Sequence, residues 1–134
     1  MACTTLITHS TGPPTVEEWA KLDLNAPNAH VLRLTRVQLD DTHAPLGVEE
    51  VVLALERFLG LAVNGAAVPD LIELAEQHGI LLRHATERLS IVPATKQVAL
   101  QLQIAPGTDV LKLNRIVETA DGEPVEWRVT FRKI

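Results

Sequence analysis

Charged and amide side chains occupy strand positions that a buried sheet would give to apolar residues. The stretch Val31–Leu39 alternates between two faces, and a period of two predicts a β-strand. Arg36 and Gln38 share one of these faces with Leu32 and Leu34. A charge on a core-facing strand costs several kcal/mol unless it is paired. The pattern therefore predicts either a polar site or an ion pair at this end of the strand.

Three more charged residues follow turns on neighbouring strands. Glu49 lies on the return strand of the same hairpin, and Glu126 and Arg128 lie on the return strand of a second hairpin. One interpretation is a pocket in which Arg36 binds an anionic group and a glutamate accepts hydrogen bonds from hydroxyls or amines. The alternative is that Arg36 pairs with Glu49 or Glu126 on an open sheet face in solvent. The pattern leaves both interpretations open.

The sequence shows no arrangement that indicates catalysis, a metal site or a cofactor. The five histidines lack the helical spacing of zinc proteases, and Cys3 is the single cysteine. Ser10 and Ser90 have no Gly-x-Ser-x-Gly context, and no glycine-rich phosphate loop occurs. Glu49 and Glu126 could form a glycosidase pair, but two isolated glutamates are weak support for one. We therefore expect neither an enzyme nor a bound metal or cofactor.

Composition favours a cytoplasmic globular protein. The 134 residues are 46% hydrophobic and 22% charged, which predicts one domain, residues 1–134, with a core of its own. The formal net charge is -5 and the basic residues are dispersed, so we do not expect the chain to hold DNA by itself. A signal peptide and a membrane-spanning apolar run are both absent from the sequence, and we expect no membrane partner.

The first hairpin has a second copy further along the chain. Val110–Ile116 repeats Val31–Val37 almost residue for residue, and three pairs of prolines recur at the same constant offset. These pairs are Pro14 and Pro93, Pro27 and Pro106, and Pro45 and Pro124. Matching prolines on both sides of a matching strand predict two related halves, each built on one hairpin.

The remaining elements are predicted from residue spacing, caps and turn residues. The predicted order begins with a strand over Thr4–His9 and a helix capped by Thr15, whose apolar stripe is Val16, Trp19, Ala20 and Leu22. The first hairpin follows to about Leu53, then a helical or irregular segment ending near Gly60, a loop at Asn64–Ala67 and a helix from Pro69 to Gly79. The second half has an extended segment over 81–92, a helix over Thr95–Leu102, and the second hairpin over Val110–Thr119 and Pro124–Phe131. Strands joined by short turns pair antiparallel. We therefore predict an α+β fold with a mostly antiparallel sheet, its helices on one face or at the ends.

These segments resemble one known family. The segments are Val31–Val37 with the turn ending in Pro45, the helix Pro69–Gly79, the segment Ile91–Leu102 and, above all, Ala105–Ile116 with Asp121–Glu126. They are similar to the UTRA domain, the effector-binding module of HutC-type GntR transcription regulators. The resemblance implies the chorismate lyase-like α+β fold, with a pocket for a small effector between sheet and helices. It also implies a homodimer, and DNA contact only through an N-terminal winged-helix domain that this chain does not include.

The resemblance also implies a set of ligand contacts. Phosphosugar-binding members grip the phosphate with two arginines two residues apart, and here Arg36 holds the first position but Gln38 the second. Asp70 and Ile72 stand where those members place small polar and aromatic contacts on the central helix. The expected ligand-binding residues are Arg36, Gln38, Glu49, Asp70, Glu126 and Arg128. We expect a sensor of a small polar or anionic metabolite, with an enzyme of the same fold or a ligand-free dimerisation module as alternatives.

Overall fold

The architecture is a single six-stranded sheet with three short helices. A computed structural model describes residues 3–58, 61 and 70–134. The elements are β1 (Cys3–Gly12), α1 (Val16–Lys21), β2 (Val31–Leu39), β3 (Pro45–Ala54), a 3-10 turn (Leu55–Arg57), α2 (Leu71–Gln77), β4 (Leu82–Pro93), α3 (Lys96–Leu102), β5 (Asp109–Thr119) and β6 (Pro124–Lys133). The predicted helix start at Pro69, the segment end near Gly60 and the loop at 64–67 lie outside the described residues.

The order of the strands in the sheet reflects the internal repeat. The order is β1-β2-β3-β6-β5-β4, and every pair is antiparallel. Each half contributes three consecutive strands with a helix after the first, and the halves join where β3 pairs with β6. The predicted α+β fold with two repeated halves is confirmed.

Helices cover both faces of the sheet, whereas the sequence predicted helices on one face or at the ends. The face that carries Leu32 and Leu34, here called the pocket face, packs against α2 through Leu71 and Leu74. The opposite face packs against α3, and its other end packs against the segment that follows α1. Two covered faces follow from the strands themselves, because alternate residues on both sides of β2 and β3 are apolar and need burial.

Of the apolar stripe predicted for α1, Leu22 is buried as predicted, whereas Val16, Trp19 and Ala20 are exposed. Thr15 does cap the helix in a capping box with Glu18, but Val16 is 89% exposed and Trp19 is partly exposed. The residue that faces inward is Glu18, which accepts a hydrogen bond of 2.7 Å from Arg33 Nε. Burial alone would raise the pKa of Glu18, yet the hydrogen bonds from Arg33 and the Thr15 backbone outweigh it and leave that pKa lowered.

The central helix α2 forms where the sequence predicts it. Asp70 is its N-cap and accepts from the backbone N–H of Glu73 at 3.0 Å. Leu71, Leu74 and Ala75 are buried as predicted. Gly79 has a φ of 65°, which a glycine adopts without steric cost, so the chain leaves the helix there. The pocket lies between this helix and the sheet.

Candidate functional site

The floor of the site is a buried network of ion pairs on the pocket face. Arg128 projects from β6 between two carboxylates: its Nη1 lies 3.1 Å from Glu49 Oε2, and its Nη2 donates to Glu126 Oε2 at 3.1 Å. The side chains of Glu49 and Glu126 are only 6% and 2% exposed. Carboxylates are rarely buried to this degree without paired cations. Arg128 is therefore the group that holds both glutamates in place.

Arg115 completes the network, and sequence reasoning missed it as a site residue. It lies on β5 directly opposite Arg128 in the register, and its Nη2 donates to Glu126 Oε1 at 3.4 Å. Two like charges directly opposite each other destabilise a sheet, so the shared Glu126 between them is what makes the pair tolerable. The repeat contained a signal for it, because Arg115 occupies in the second copy the position that Arg36 has in the first.

Gln38 connects the first hairpin to this floor. Its side-chain amide donates to Glu49 Oε1 at 3.0 Å. Gly47 lies opposite Gln38 in the register, and a Cβ added there would lie 2.8 Å from Gln38 Oε1. Because Gly47 has no side chain, the Gln38 side chain has room to lie over β3 at this position. Gln38 therefore orients a buried carboxylate of the network.

Two cavities open above the floor. The larger has a volume of about 480 Å³ and is lined by Asp70, Leu71, Ile72, Leu82, Arg83, His84, Ala85, Arg115, Val117 and Arg128. The smaller, of about 190 Å³, is lined by Gln38, Glu49, Leu113, Arg115, Arg128, Thr130 and Arg132. Arg115 and Arg128 line both, so the two spaces form one site with a charged floor. A volume of this size suits a small metabolite.

The structure brings most of the predicted site residues together. Gln38, Glu49, Glu126 and Arg128 form the floor, and Asp70 stands at the rim, where its carboxylate is engaged by the helix that it caps. Arg36 lies opposite Glu49 in the register of β2 and β3 and is half-buried, but it is not among the residues that line these two cavities. Its role as a ligand contact stays a prediction.

The chemistry of the site is recognition by charge and shape. Arg115 and Arg128 present guanidinium donors, and both donate to Glu126; Glu49 accepts from Gln38 and lies within ion-pair distance of Arg128. Among residues 3–58, 61 and 70–134, no group of three or more His, Cys, Asp or Glu is arranged to hold a metal ion. In the same part of the chain, no helix is long and apolar enough to cross a membrane. The arrangement suits a ligand that carries a negative charge.

The fold is shared with solved ligand-binding and effector domains of transcription regulators. The structure superposes on the ligand-binding domain of a GntR-family regulator from Bordetella bronchiseptica with a TM-score of 0.86 and 24% identity, covering 99% of this chain and 83% of that one. The effector domain of PhnF from Mycobacterium smegmatis gives a TM-score of 0.87 and 22% identity, and the match covers 99% of this chain and 81% of that one. YydK from Bacillus subtilis gives a TM-score of 0.85 and 16% identity, and the match covers 98% of this chain but 58% of that one.

The sequence shows the family to which the chain belongs. A sequence profile of the UTRA domain matches residues 2–132, and the chain belongs to the UTRA domain family. The resemblance inferred from the two hairpins is therefore confirmed. A comparison with curated proteins finds no match. The solved structures above are less than 25% identical to this chain, so they establish the shared fold and not a shared ligand.

Proposed function

We propose that this chain is the effector-binding domain of a HutC-type GntR regulator and binds a small anionic metabolite in the cavity above Arg115 and Arg128. The single observation that carries the proposal is the buried network itself. Two partly buried arginines, Arg115 on β5 and Arg128 on β6, line a cavity of about 480 Å³ and pair beneath it with the buried Glu126 on β6 and Glu49 on β3. Burying charged groups lowers the stability of the folded chain, so a role in stability does not explain this network. A cluster of charged groups at the base of a pocket is typical of a binding site.

Ligand binding would be coupled to DNA through a change between two states of a dimeric regulator. In this proposal a separate winged-helix domain makes the DNA contact, residues 2–132 being the part that matches the UTRA domain, and the regulator works in the cytoplasm. A ligand shifts that equilibrium only by its differential affinity for the two states. The network spans β3 of the first half and β5 and β6 of the second, so a ligand on Arg115 or Arg128 binds to a network that links the two halves of the domain.

The experiment that tests ligand binding is thermal unfolding of this chain in the presence of a metabolite library. A ligand at about 100 times its Kd stabilises a protein by about 2.7 kcal/mol, which is a readily measured rise in Tm. The matched variants are Arg115→Gln, which removes a floor cation, and Arg88→Gln, which removes an exposed arginine from β4. A compound that stabilises the wild type and Arg88→Gln but not Arg115→Gln supports the sensor.

Two other functions are outcomes of the same experiment. Chemical turnover of a compound that binds would show an enzyme of this fold. A chain that dimerises while no compound changes its Tm would be a ligand-free dimerisation module. Either result replaces the sensor.

The proposed homodimer has its own support on the pocket face. Leu89 and Ile91 are largely exposed on β4, and their register partners on β5 are Leu113 and Leu111. Four aliphatic side chains in a row on an open sheet face are typical of a protein contact. Analytical ultracentrifugation should show a dimer for the wild type and a shift toward monomer for the Leu89→Ser/Ile91→Ser variant. An unchanged dimer in that variant would place the contact elsewhere.

A further inference from the structure

We infer that the ligand of the larger cavity is a monocarboxylic acid with a largely apolar body, its carboxylate bound by Arg115 and its body enclosed between α2 and the start of β4. This inference deepens the proposed function and rests on it. It separates the ligand from phosphorylated sugars, which carry two negative charges and a hydroxyl on nearly every carbon.

The walls of the cavity indicate an apolar ligand body. Leu71 and Ile72 come from the first turn of α2, and Leu82, Ala85 and Val117 come from β4 and β5 across the space. A buried hydroxyl that finds no hydrogen-bond partner costs on the order of 1–3 kcal/mol, and aliphatic walls offer none. Ile72 is 67% exposed, so a ligand body lying against it would gain by covering it.

The floor offers one arginine in particular to a ligand. Arg128 is held between two carboxylates, both at 3.1 Å, whereas among the described residues Arg115 pairs with Glu126 alone, at 3.4 Å. The Arg115 side chain is 28% exposed against 20% for Arg128, and in both arginines Nε has no hydrogen-bond partner among the described residues. An arginine with free donors in a planar fork matches a carboxylate in bidentate geometry. Arg115 is therefore the ligand contact, and Arg128 positions the network.

The balance of charge limits the ligand to a single negative charge. The two arginines of the floor are matched by Glu49 and Glu126, and at the rim Asp70 offsets Arg83, with His84 beside it. The rim groups are exposed, so water screens them. A second negative charge beside Arg115 would also lie near the buried Glu126, and the other arginines of the site stand apart from it, Arg83 at the exposed rim and Arg132 in the smaller cavity. Like charges in a desolvated site repel strongly.

Isothermal titration of the intact chain with matched probes tests this inference. The probes are hexanoate, octanoate and 3-phenylpropanoate, the neutral amide of each acid, the phosphate monoester with the same body, and glucosamine 6-phosphate. We expect at least one acid to bind about tenfold or more tightly than both its amide and its phosphate counterpart, because a charge-assisted hydrogen bond contributes that much.

Four variants assign the result to residues. Arg115→Gln should abolish the preference for acid over amide, and Arg115→Lys, which keeps the charge but loses the planar fork, should weaken acid binding while the chain stays folded. Ile72→Ser should weaken the longest acid most. Leu100→Ser is its matched control, since Leu100 is an exposed leucine on α3, and it should change nothing.

Two results would overturn the inference, and they differ from failure of the proposed function. If a phosphate monoester or glucosamine 6-phosphate binds more tightly than every acid, or if only compounds of another class in the metabolite library stabilise the chain, the ligand class is wrong but the sensor stands. If neither the probes nor the library bind while circular dichroism shows a folded chain, the inference and the sensor both fail.

Discussion

Replacing Arg128 with methionine tests whether the floor of the site is a buried network. Methionine keeps the length and packing of the side chain but removes the cation that lies 3.1 Å from both Glu49 Oε2 and Glu126 Oε2. Glu126 keeps one weak contact with Arg115 at 3.4 Å, and Glu49 keeps the Gln38 amide at 3.0 Å. Two carboxylates that are 6% and 2% exposed thus lose their main partner.

The magnitude follows from the cost of an uncompensated buried charge. Removing one partner of a buried ion pair destabilises a protein by about 3–5 kcal/mol. A domain of this size has a total stability of about 5–15 kcal/mol, so Arg128→Met should unfold at clearly lower denaturant. We expect the double variant Glu49→Gln/Arg128→Met to lose less than the sum of its single variants, with a coupling energy of about 0.5–3 kcal/mol.

Urea unfolding followed by circular dichroism, at one fixed protein concentration, measures these values by linear extrapolation. Arg88→Gln is the control, because Arg88 is exposed and replacing an exposed residue changes the free energy of unfolding by no more than about 0.5 kcal/mol. A loss below about 1 kcal/mol for Arg128→Met, or additive single variants, would mean that water reaches the network. The argument for a pocket built on buried charge would then be refuted.

Three further predictions concern the structure around the site. Glu18→Gln should destabilise the chain by about 1–3 kcal/mol at neutral pH. Because the pKa of Glu18 is lowered in the folded state, the stability that its carboxylate contributes is present above the unfolded-state pKa and is lost as the pH falls through the folded-state pKa. The urea stabilities of the wild type and the variant should therefore converge in acid, and a difference that stays constant with pH would contradict this account. Gly47→Ala should cost about 1–3 kcal/mol and loosen Gln38, since its Cβ would also lie 3.1 Å from the Phe131 carbonyl oxygen; unchanged urea stability would show that this contact relaxes freely. Leu74→Ala should cost about 2–5 kcal/mol and weaken ligand binding with it, because Leu74 anchors α2 over the sheet; a stable variant that still loses its ligand would place Leu74 in direct contact instead.

The strands were predictable because their residues report their surroundings locally. The alternation in Val31–Leu39 and its copy in Val110–Ile116 fixed both hairpins, and Thr15, Asp70 and Gly79 mark helix ends by their own backbone and side-chain chemistry. Helix α1 was misjudged for a tertiary reason. The spacing of Val16 and Trp19 resembles an apolar stripe, but Arg33 on β2 draws Glu18 inward and turns that stripe toward solvent.

The sequence predicted site residues on the return strands of both hairpins, Glu49, Glu126 and Arg128, but on the opening strands it pointed to the first copy alone. Arg36 attracted attention in the first hairpin, whereas Arg115 is its equivalent in the second and lines both cavities. Equivalent strand positions differ in surroundings because α2 is inserted between the halves and covers the pocket face next to β4 and β5. A sequence repeat alone cannot show on which copy a single inserted helix lies.

The repeat also explains how one fold produced a charged junction. Glu49 and Arg128 occupy equivalent positions in the two hairpins, yet one is an acid and the other a base. Where β3 pairs with β6, these equivalent positions come within ion-pair distance, so a single half could not build the contact. A ligand that competes with Glu49 for Arg128 would therefore act at the seam between the halves. The seam is where a small change in charge can alter how the two halves of the sheet pack, which is what coupling to a distant domain requires.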